Sequence, residues 1–112
     1  MAFKRRFILK KRSDFLAIQS GASVVGRYLV LCYKTSDASI AKVGYVVSRR
    51  IGNSVQRNRV KRRLREASFC LLRNNANKFV DLVFIAKKQS RYCSWGDLIY
   101  DISFLLKRIK IL

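Results

Sequence analysis

Residues 52–73 read GNSVQRNRVKRRLREASFCLLR, and this stretch decides the architecture of the chain. Asn53 or Ser54 can cap a helix here, because either side chain offers an oxygen to the free N–H groups of a first turn. Apolar residues recur at helical spacing along one narrow stripe, namely Val60, Leu64, Ala67 and Leu71. The segment therefore predicts an amphipathic helix that packs on a sheet.

A ridge of positive charge lies beside the apolar stripe of this predicted helix. Arg57, Lys61 and Arg65 follow one another at i, i+4 and i+8. Like charges at this spacing destabilise an isolated helix by roughly 0.2–0.5 kcal/mol per pair, so helix propensity does not explain them. A polyphosphate would turn this repulsion into affinity, and the ridge therefore indicates a nucleic-acid face rather than a solvated one.

Further polar residues extend the ridge into a larger candidate RNA surface. Two arginines precede the cap, where the unpaired backbone N–H groups of a helix start also attract anions. Asn58, between two arginines, is either a plain surface residue or a partner for phosphate and 2′-OH groups. The candidates beyond the ridge are Arg49, Arg50, Asn58, Arg59 and Arg62.

The composition restricts what the whole chain can be. Its 112 residues carry 25 Lys and Arg against 6 Asp and Glu, a formal charge of +19, with no His and no Pro. With 50% apolar residues it can bury a core, and it contains no linker, so we expect one domain over 1–112. Residues 1–12 form a basic, flexible arm in this interpretation. A surface this basic predicts a polyanionic partner, and no apolar run approaches the roughly 20 residues of a membrane span.

The remaining segments predict an α+β protein, a small two-layer α/β sandwich in the order helix, strands, helix, strand, helix. Ser13 caps a short helix that buries Phe15 and Ile18 and ends at Gly21. Strands are expected over 28–35, 41–48 and 79–86, with a shorter one near 23–27. The polar segment 36–39 has the length of a hairpin loop, so the first two long strands are expected to pair antiparallel. A last helix starts at Ser94 and carries Trp95, Leu98, Ile102, Leu105 and Ile109 on its buried face.

No constellation of catalytic residues is visible in the sequence. The absence of His removes the commonest general base and zinc ligand. Cys32, Cys70 and Cys93 are odd in number and widely spaced, which is typical of reduced thiols in a cytosolic protein. Asp97 and Asp101 share a helix face, but near a helix start they are interpreted as partners of the helix dipole. We expect neither a catalytic residue nor a metal site.

Residues 47–66, VSRRIGNSVQRNRVKRRLRE, resemble the signature of the protein subunit of bacterial ribonuclease P. The order of the flanking elements is similar to that of the family over essentially the whole chain. The resemblance implies a cytoplasmic partner of a catalytic RNA, which removes the 5′ leader of precursor tRNA with Mg²⁺ held mainly by RNA. The isolated protein would need no cofactor, protein partner or membrane. The resemblance also implies a left-handed βαβ crossover, against the usual rule.

The resemblance also assigns roles to particular residues. The helix motif, which binds the RNA subunit in the family, matches Arg57, Asn58, Arg59, Lys61, Arg62 and Arg65. A cleft between the first helix and the sheet holds the leader, and it matches Phe15, Val30 and Cys32. Gln19 and Cys32 stand where aromatic residues are common, so Tyr28 or Tyr45 could supply the missing stacking surface. Phe15 could equally be a core residue.

Three other functions fit parts of the sequence. A small basic ribosomal-type RNA-binding protein would share the size, charge and thiols, and only the helix motif distinguishes it. A protein-only nuclease would need to use Asp97 and Asp101. A membrane-surface protein would need apolar faces that the predicted core already uses.

Overall fold

The computed structural model describes residue 9 and residues 11–35, 42–72 and 80–110. Its helices are α1 (Arg12–Gln19), α2 (Ser54–Leu72) and α3 (Trp95–Arg108). Its strands are β1 (Ala22–Val25), β2 (Leu29–Thr35), β3 (Val43–Val46) and β4 (Val80–Ala86). Short 3₁₀ segments precede α2 and α3, at Arg49–Ile51 and Lys88–Tyr92. The predicted α+β class is confirmed.

The strands form one sheet in the order β1-β2-β4-β3. β2 pairs antiparallel with β1 and with β4, and β3 pairs parallel with β4. The short strand predicted near 23–27 is therefore present as β1. The predicted antiparallel pairing of the two strands around 36–39 is wrong, because β4 lies between β2 and β3; the loop itself lies outside the described residues.

The length and polarity of the strands explain this order. β2 and β4 are seven residues long and pair along their full length, from Leu29 with Ala86 to Thr35 with Val80. Both carry apolar residues on both faces, which suits central strands. β1 and β3 are four residues each and form the edges. The connection from β3 to β4 runs through α2, which is the crossover that a parallel pair requires.

The two faces of the sheet carry different helices. Leu29, Leu31, Val43, Tyr45, Leu82, Phe84 and Ala86 share one face and are packed under α2 and α3. Because side chains alternate along a strand, Val30, Cys32, Val83 and Ile85 point to the other face, where they meet α1. The sheet and the α2–α3 layer form the predicted sandwich, and α1 lies on the opposite side.

Local capping explains where α2 begins. Asn53 Oδ1 accepts a hydrogen bond of 2.9 Å from Gln56 N, and Gln56 Oε1 accepts one of 2.9 Å from Asn53 N. This reciprocal pair is a capping box, so Asn53 is the cap of the predicted two. Gly52 precedes it at φ 147°, a conformation that favours glycine, and a Cβ there would also collide with the Gln56 side chain.

The starts of the other two helices agree only in part with the prediction. α1 begins at Arg12 with Lys11 as its cap, so Ser13 lies inside the helix and is not its cap. Ser94 caps α3 by accepting from Asp97 N at 3.0 Å, as predicted. Trp95 is 42% exposed and does not join the buried face that Leu98, Ile102 and Leu105 form. Trp95 is the first residue of α3, so its side chain lies at the end of the helix layer and stays exposed.

Candidate nucleic-acid interface

The charged ridge runs along α2 beside the apolar stripe that packs on the sheet. Val60, Leu64 and Ala67 are buried, and the adjacent ridge residues Arg57 and Arg65 are half-buried. The Nε atoms of these two arginines are shielded from solvent, and no hydrogen-bond partner lies within the described structure. The Nε atoms of Arg57 and Arg65 are thus packed against the protein, which restricts where the two charged groups can lie.

One arginine on the other flank of α2 has a structural role instead. Arg63 Nη2 donates a 2.9 Å hydrogen bond to the carbonyl oxygen of Cys93 and so joins α2 to the start of α3. The candidate set does not include Arg63. Among the residues that the structure describes, no candidate cation of α2 forms such a side-chain bond or an ion pair.

The remaining candidate RNA-binding residues of α2 and of the 3₁₀ segment before it are exposed. Ser48 caps the 3₁₀ segment by accepting from Arg50 N, which presents Arg49 and Arg50 outward just before α2. The exposed members of the predicted RNA set are Arg49, Arg50, Asn58, Arg59, Lys61 and Arg62. Arg49 and Arg50 lie on the turn before α2 and the other members of the set on α2 itself, where Arg59 lies behind the ridge of Arg57, Lys61 and Arg65.

Arg91 is a cation that sequence reasoning missed. Its Nη1 donates a 2.9 Å hydrogen bond to the carbonyl oxygen of Ile51, which places the guanidinium at the start of α2. Its Cζ lies 4.7 Å from the centroid of the Tyr92 ring, within cation–π range. Forty residues separate Arg91 from Ile51 in sequence, and no local pattern could have revealed this contact.

A groove of about 490 Å³ runs between α1 and the edge strand β3 and reaches α2. Its lining on the α1 side is Arg12, Phe15, Leu16 and Gln19, which recur at helical spacing. The other wall is Tyr45, Val46 and Val47, and Lys61 of α2 closes the end. Lys61 therefore belongs both to the charged ridge and to the groove, and the two surfaces are continuous.

Phe15 lies on the sheet because β3 carries a glycine beneath it. A Cβ at Gly44 would lie 2.5 Å from Phe15 Cε1 and 3.0 Å from Leu9 Cδ1. Leu9 is held there by a 2.9 Å hydrogen bond from its N–H to the carbonyl oxygen of Val43, on the free edge of β3. The half-buried Phe15 ring thus serves as both a core residue and part of the groove wall.

An apolar row crosses the α1 face of the sheet, with one residue from each strand. The strand register places Val25 opposite Val30, Val30 opposite Ile85, and Ile85 beside Val46. Val25 is 62% exposed, and the other three are partly buried. α1 covers the neighbouring row, which includes Cys32 and Val83, and leaves this one partly open.

Cys32 lies on the α1 face of the sheet as predicted, and Tyr45 lines the groove, but neither offers an exposed stacking surface. Cys32 is buried under α1 together with Leu9, Ile18 and Val83, so it has no exposed contact surface, and burial raises the pKa of its thiol. Tyr45 belongs to the opposite face of the sheet: its ring stacks against Phe84 with centroids 6.0 Å apart. Its hydroxyl bonds to Ser68 of α2. The Tyr45 ring therefore cannot supply the missing stacking surface, because it is enclosed in the main core.

Tyr45 also connects the core to the ridge. Ser68 Oγ donates to the carbonyl oxygen of Arg65 at 3.1 Å, so the Tyr45 hydroxyl donates to Ser68 Oγ. Burial raises the pKa of Tyr45 to about 12, and Ser68 and the Arg65 charge act in the opposite direction. A neutral phenol is thus kept under the half-buried arginine.

The acidic residues of α3 have structural roles. Asp101 is buried, and its carboxylate accepts hydrogen bonds from Arg27 N at 2.8 Å and Tyr28 N at 2.9 Å. It holds the β1–β2 turn rather than acting as a dipole partner of its own helix. Asp97 is exposed and accepts a 3.4 Å hydrogen bond from the Tyr28 hydroxyl. Within the described ranges, no three His, Cys, Asp or Glu residues lie close enough together to hold a metal ion.

Cys32, Cys70 and Cys93 are all free thiols, of which Cys70 is exposed. None of the helices in the described ranges is long and apolar enough to span a membrane.

Comparison with known proteins places this arrangement in a family. Residues 3–110 match the family model for ribonuclease P. The ribonuclease P protein component of Clostridioides difficile is 34% identical over 112 residues, which cover 99% of this chain and 98% of that protein. The protein component of Caldanaerobacter subterraneus is 40% identical over 101 residues, 89% of this chain and 86% of its own length.

Solved structures agree with the sequence relatives. The ribonuclease P protein of Staphylococcus aureus superposes with a TM-score of 0.82 at 27% identity, covering 94% of this chain and 96% of the other. The Thermotoga maritima protein superposes with a TM-score of 0.78 at 30% identity, covering 91% and 96% of the two chains. These matches, over a fold that carries the arginine-rich helix and its adjoining groove, show that the chain belongs to the ribonuclease P protein component family, the protein subunits of a bacterial tRNA-processing endoribonuclease.

Proposed function

We propose that α2 binds the ribonuclease P RNA and that the groove beside it holds the single-stranded 5′ leader of precursor tRNA. The observation that carries this proposal is the position of Lys61, which lies in the charged ridge and also closes the groove. An RNA subunit on the ridge and a leader in the groove would therefore be neighbours. The protein would align the leader with the RNA that cleaves the precursor.

The chemistry of the two surfaces supports different RNA targets. The ridge presents guanidinium and ammonium groups, which neutralise phosphates in any sequence. The groove combines the Phe15 ring with aliphatic residues and the polar side chain of Gln19, while Tyr45, which also lines it, has its ring in the main core. Unpaired bases pack on such apolar surfaces while neighbouring cations hold their phosphates. With few rings in the groove, we expect weak stacking and little sequence preference.

We further propose that the catalytic step belongs to the RNA and that the required Mg²⁺ ions are held mainly by RNA. Two-metal phosphodiester cleavage needs several carboxylates around ions ~3.5–4 Å apart. The buried carboxylate of Asp101 is already engaged by two backbone N–H groups. We expect the holoenzyme to act in the cytoplasm without a membrane or a further protein partner.

The first experiment is precursor-tRNA cleavage by a bacterial ribonuclease P RNA at low Mg²⁺, with and without this protein. We expect the protein to lower the Mg²⁺ concentration that cleavage at the mature 5′ end requires. RNA binding without any stimulation would contradict the proposal and favour a ribosomal-type role. Asp97→Asn with Asp101→Asn, if it abolished cleavage while the fold was intact, would contradict catalysis by RNA alone.

Two sets of variants separate the ridge from the groove. Arg57→Ala with Arg65→Ala should weaken binding to the RNA subunit and reduce the salt slope by roughly one unit for each lost phosphate contact. Phe15→Ala should spare that binding and weaken affinity for precursor tRNA relative to mature tRNA. Arg63→Lys is the matched control on α2, since Arg63 faces α3 and lies outside the ridge. If the ridge and groove variants behaved alike, the division of roles would be wrong.

A further inference from the structure

The exposed aromatic residues of the described structure are concentrated away from the groove. Tyr92, Trp95, Tyr100 and Phe104 are the large aromatic side chains with substantial exposure; Tyr92 ends the 3₁₀ segment before α3, and the other three lie in α3. Tyr100 is 74% exposed and Phe104 is 40% exposed. They are one helical turn apart, so their rings are neighbours on the outer surface of α3. α3 packs on the face of the sheet opposite to α1, and this surface is therefore distinct from the proposed leader groove.

Two cations lie on α3 one turn after the aromatic pair of Tyr100 and Phe104. Lys107 and Arg108 are the next exposed residues at helical spacing, and Arg108 Cζ lies 5.9 Å from the centroid of the Phe104 ring. We call Tyr100, Phe104, Lys107 and Arg108 the α3 stripe. The nearest acid on the exposed side of α3 is Asp97, since Asp101 is buried against the β1–β2 turn.

The stripe is open at the end that precedes Tyr100. Side chains on a helix lean toward its N-terminus, so the residue one turn earlier would normally crowd the ring. That residue is Gly96, and a Cβ built on it would meet nothing closer than Ser94 Oγ at 3.9 Å. Gly96 therefore leaves open surface one turn before Tyr100, beside the exposed Asp97.

We propose that the α3 stripe is a second RNA-binding surface, which binds a single-stranded segment other than the leader. The bases stack on Tyr100 and Phe104, and Lys107 and Arg108 hold the adjoining phosphates. The charge of the chain decides between RNA and a second copy of the protein. At +19, two copies that joined their stripes would bring like charges together, whereas RNA neutralises them.

The test measures binding of a fluorescein-labelled oligouridylate of about 12 nucleotides, a length that one small domain can cover. Binding is followed by anisotropy with the full chain that carries Arg57→Ala and Arg65→Ala, so that the ridge contributes less. In this background, Tyr100→Ala with Phe104→Ala should weaken binding by about tenfold or more, because each stacked base contributes substantially. Tyr100→Phe with Phe104→Tyr should bind as the background does, since both rings remain. Lys107→Gln with Arg108→Gln should reduce the salt slope by about 0.7 per lost phosphate contact.

Tyr92→Ala is the matched control, because Tyr92 is 76% exposed but lies outside the stripe. Thermal unfolding of each variant verifies that the fold is retained. Equal effects of Tyr92→Ala and of the double alanine variant, or no effect of either, would overturn the proposal. A change in sedimentation of the RNA-free protein with RNA binding unaltered would also overturn it and identify a self-association surface. The inference does not depend on the proposed leader groove, since failure there would appear with Phe15→Ala and not with the stripe variants.

Discussion

The two faces of the sheet differ in how completely they are covered. On the α2–α3 face, Leu29, Leu31, Leu82 and Phe84 are fully buried. On the α1 face, one short helix covers one row of side chains and leaves the row from Val25 to Val46 partly open. A face closed by two long helices provides most of the apolar burial that stabilises the fold. A half-covered face retains apolar surface that a ligand can still bury, and it is the face beside the groove.

The largest expected effect on stability comes from creating a cavity in the core between the sheet and the α2–α3 layer. Leu64→Ala should lower the free energy of unfolding by about 2–5 kcal/mol, because Leu64 is fully buried and the change leaves a cavity. Val46→Ala on the half-open face is the matched control, with an expected loss of about 1 kcal/mol or less. Urea denaturation measures both values. Similar losses would show that the two faces contribute equally to stability.

A smaller effect is expected where Phe15 contacts the half-open face. Gly44→Ala places a methyl group in the space of the Phe15 ring and should cost about 1–3 kcal/mol in unfolding free energy. The cost should fall when Phe15→Ala is also present, because the ring that collides is then absent. A double-mutant cycle by denaturation measures this coupling. An unchanged cost in the double variant would mean that Leu9 or the backbone, and not Phe15, limits the space.

The smallest effect concerns Tyr45, which lies on the closed face under Arg65. Folding raises its pKa to about 12, so the folded chain retains a proton that the unfolded chain loses above about pH 10. This contribution to stability is therefore present below pH 10 and is lost as the pH rises toward 12. Tyr45→Phe should cost about 0.5–1.5 kcal/mol at neutral pH through the lost Ser68 hydrogen bond.

The control for this prediction is the difference in unfolding free energy between the wild type and Tyr45→Phe, measured across the pH range. Denaturation at several pH values from 8 to about 11 should show wild-type stability falling toward that of the phenylalanine variant. A constant difference would show that Tyr45 does not titrate in the fold. Lysines titrate in the same range, but they are common to both proteins and cancel in the comparison.

Local patterns in the sequence were sufficient for most elements. The apolar stripe and capping residues of α2 predicted its position and its buried face, and Ser94 predicted the start of α3. Strands β2 and β4 were visible because both of their faces are apolar. The pairing of the strands was not visible, because register and order depend on contacts between residues far apart in sequence. The hairpin prediction failed for that reason.

The candidate site divides in the same way. The ridge residues could be identified because they are neighbours on one helix, where spacing determines which side chains share a face. Tyr45 was expected to offer its ring to the leader, but the ring lies in the main core, since a strand that is apolar on both sides gives no sign of which side is the core. Arg91 was missed because its contact with Ile51 joins two distant segments.

The sequence by itself determined the charge, the amphipathic helices and the arginine-rich motif, because each depends on residues close together in the chain. Only the tertiary structure decided that β4 separates β2 from β3, that α1 leaves one apolar row open, and that Lys61 joins the ridge to the groove. These features arise from long-range packing, because the position of a side chain depends on its contacts with segments that are distant in the sequence. Helical and strand periodicity shows which residues share a face, but not what that face will meet.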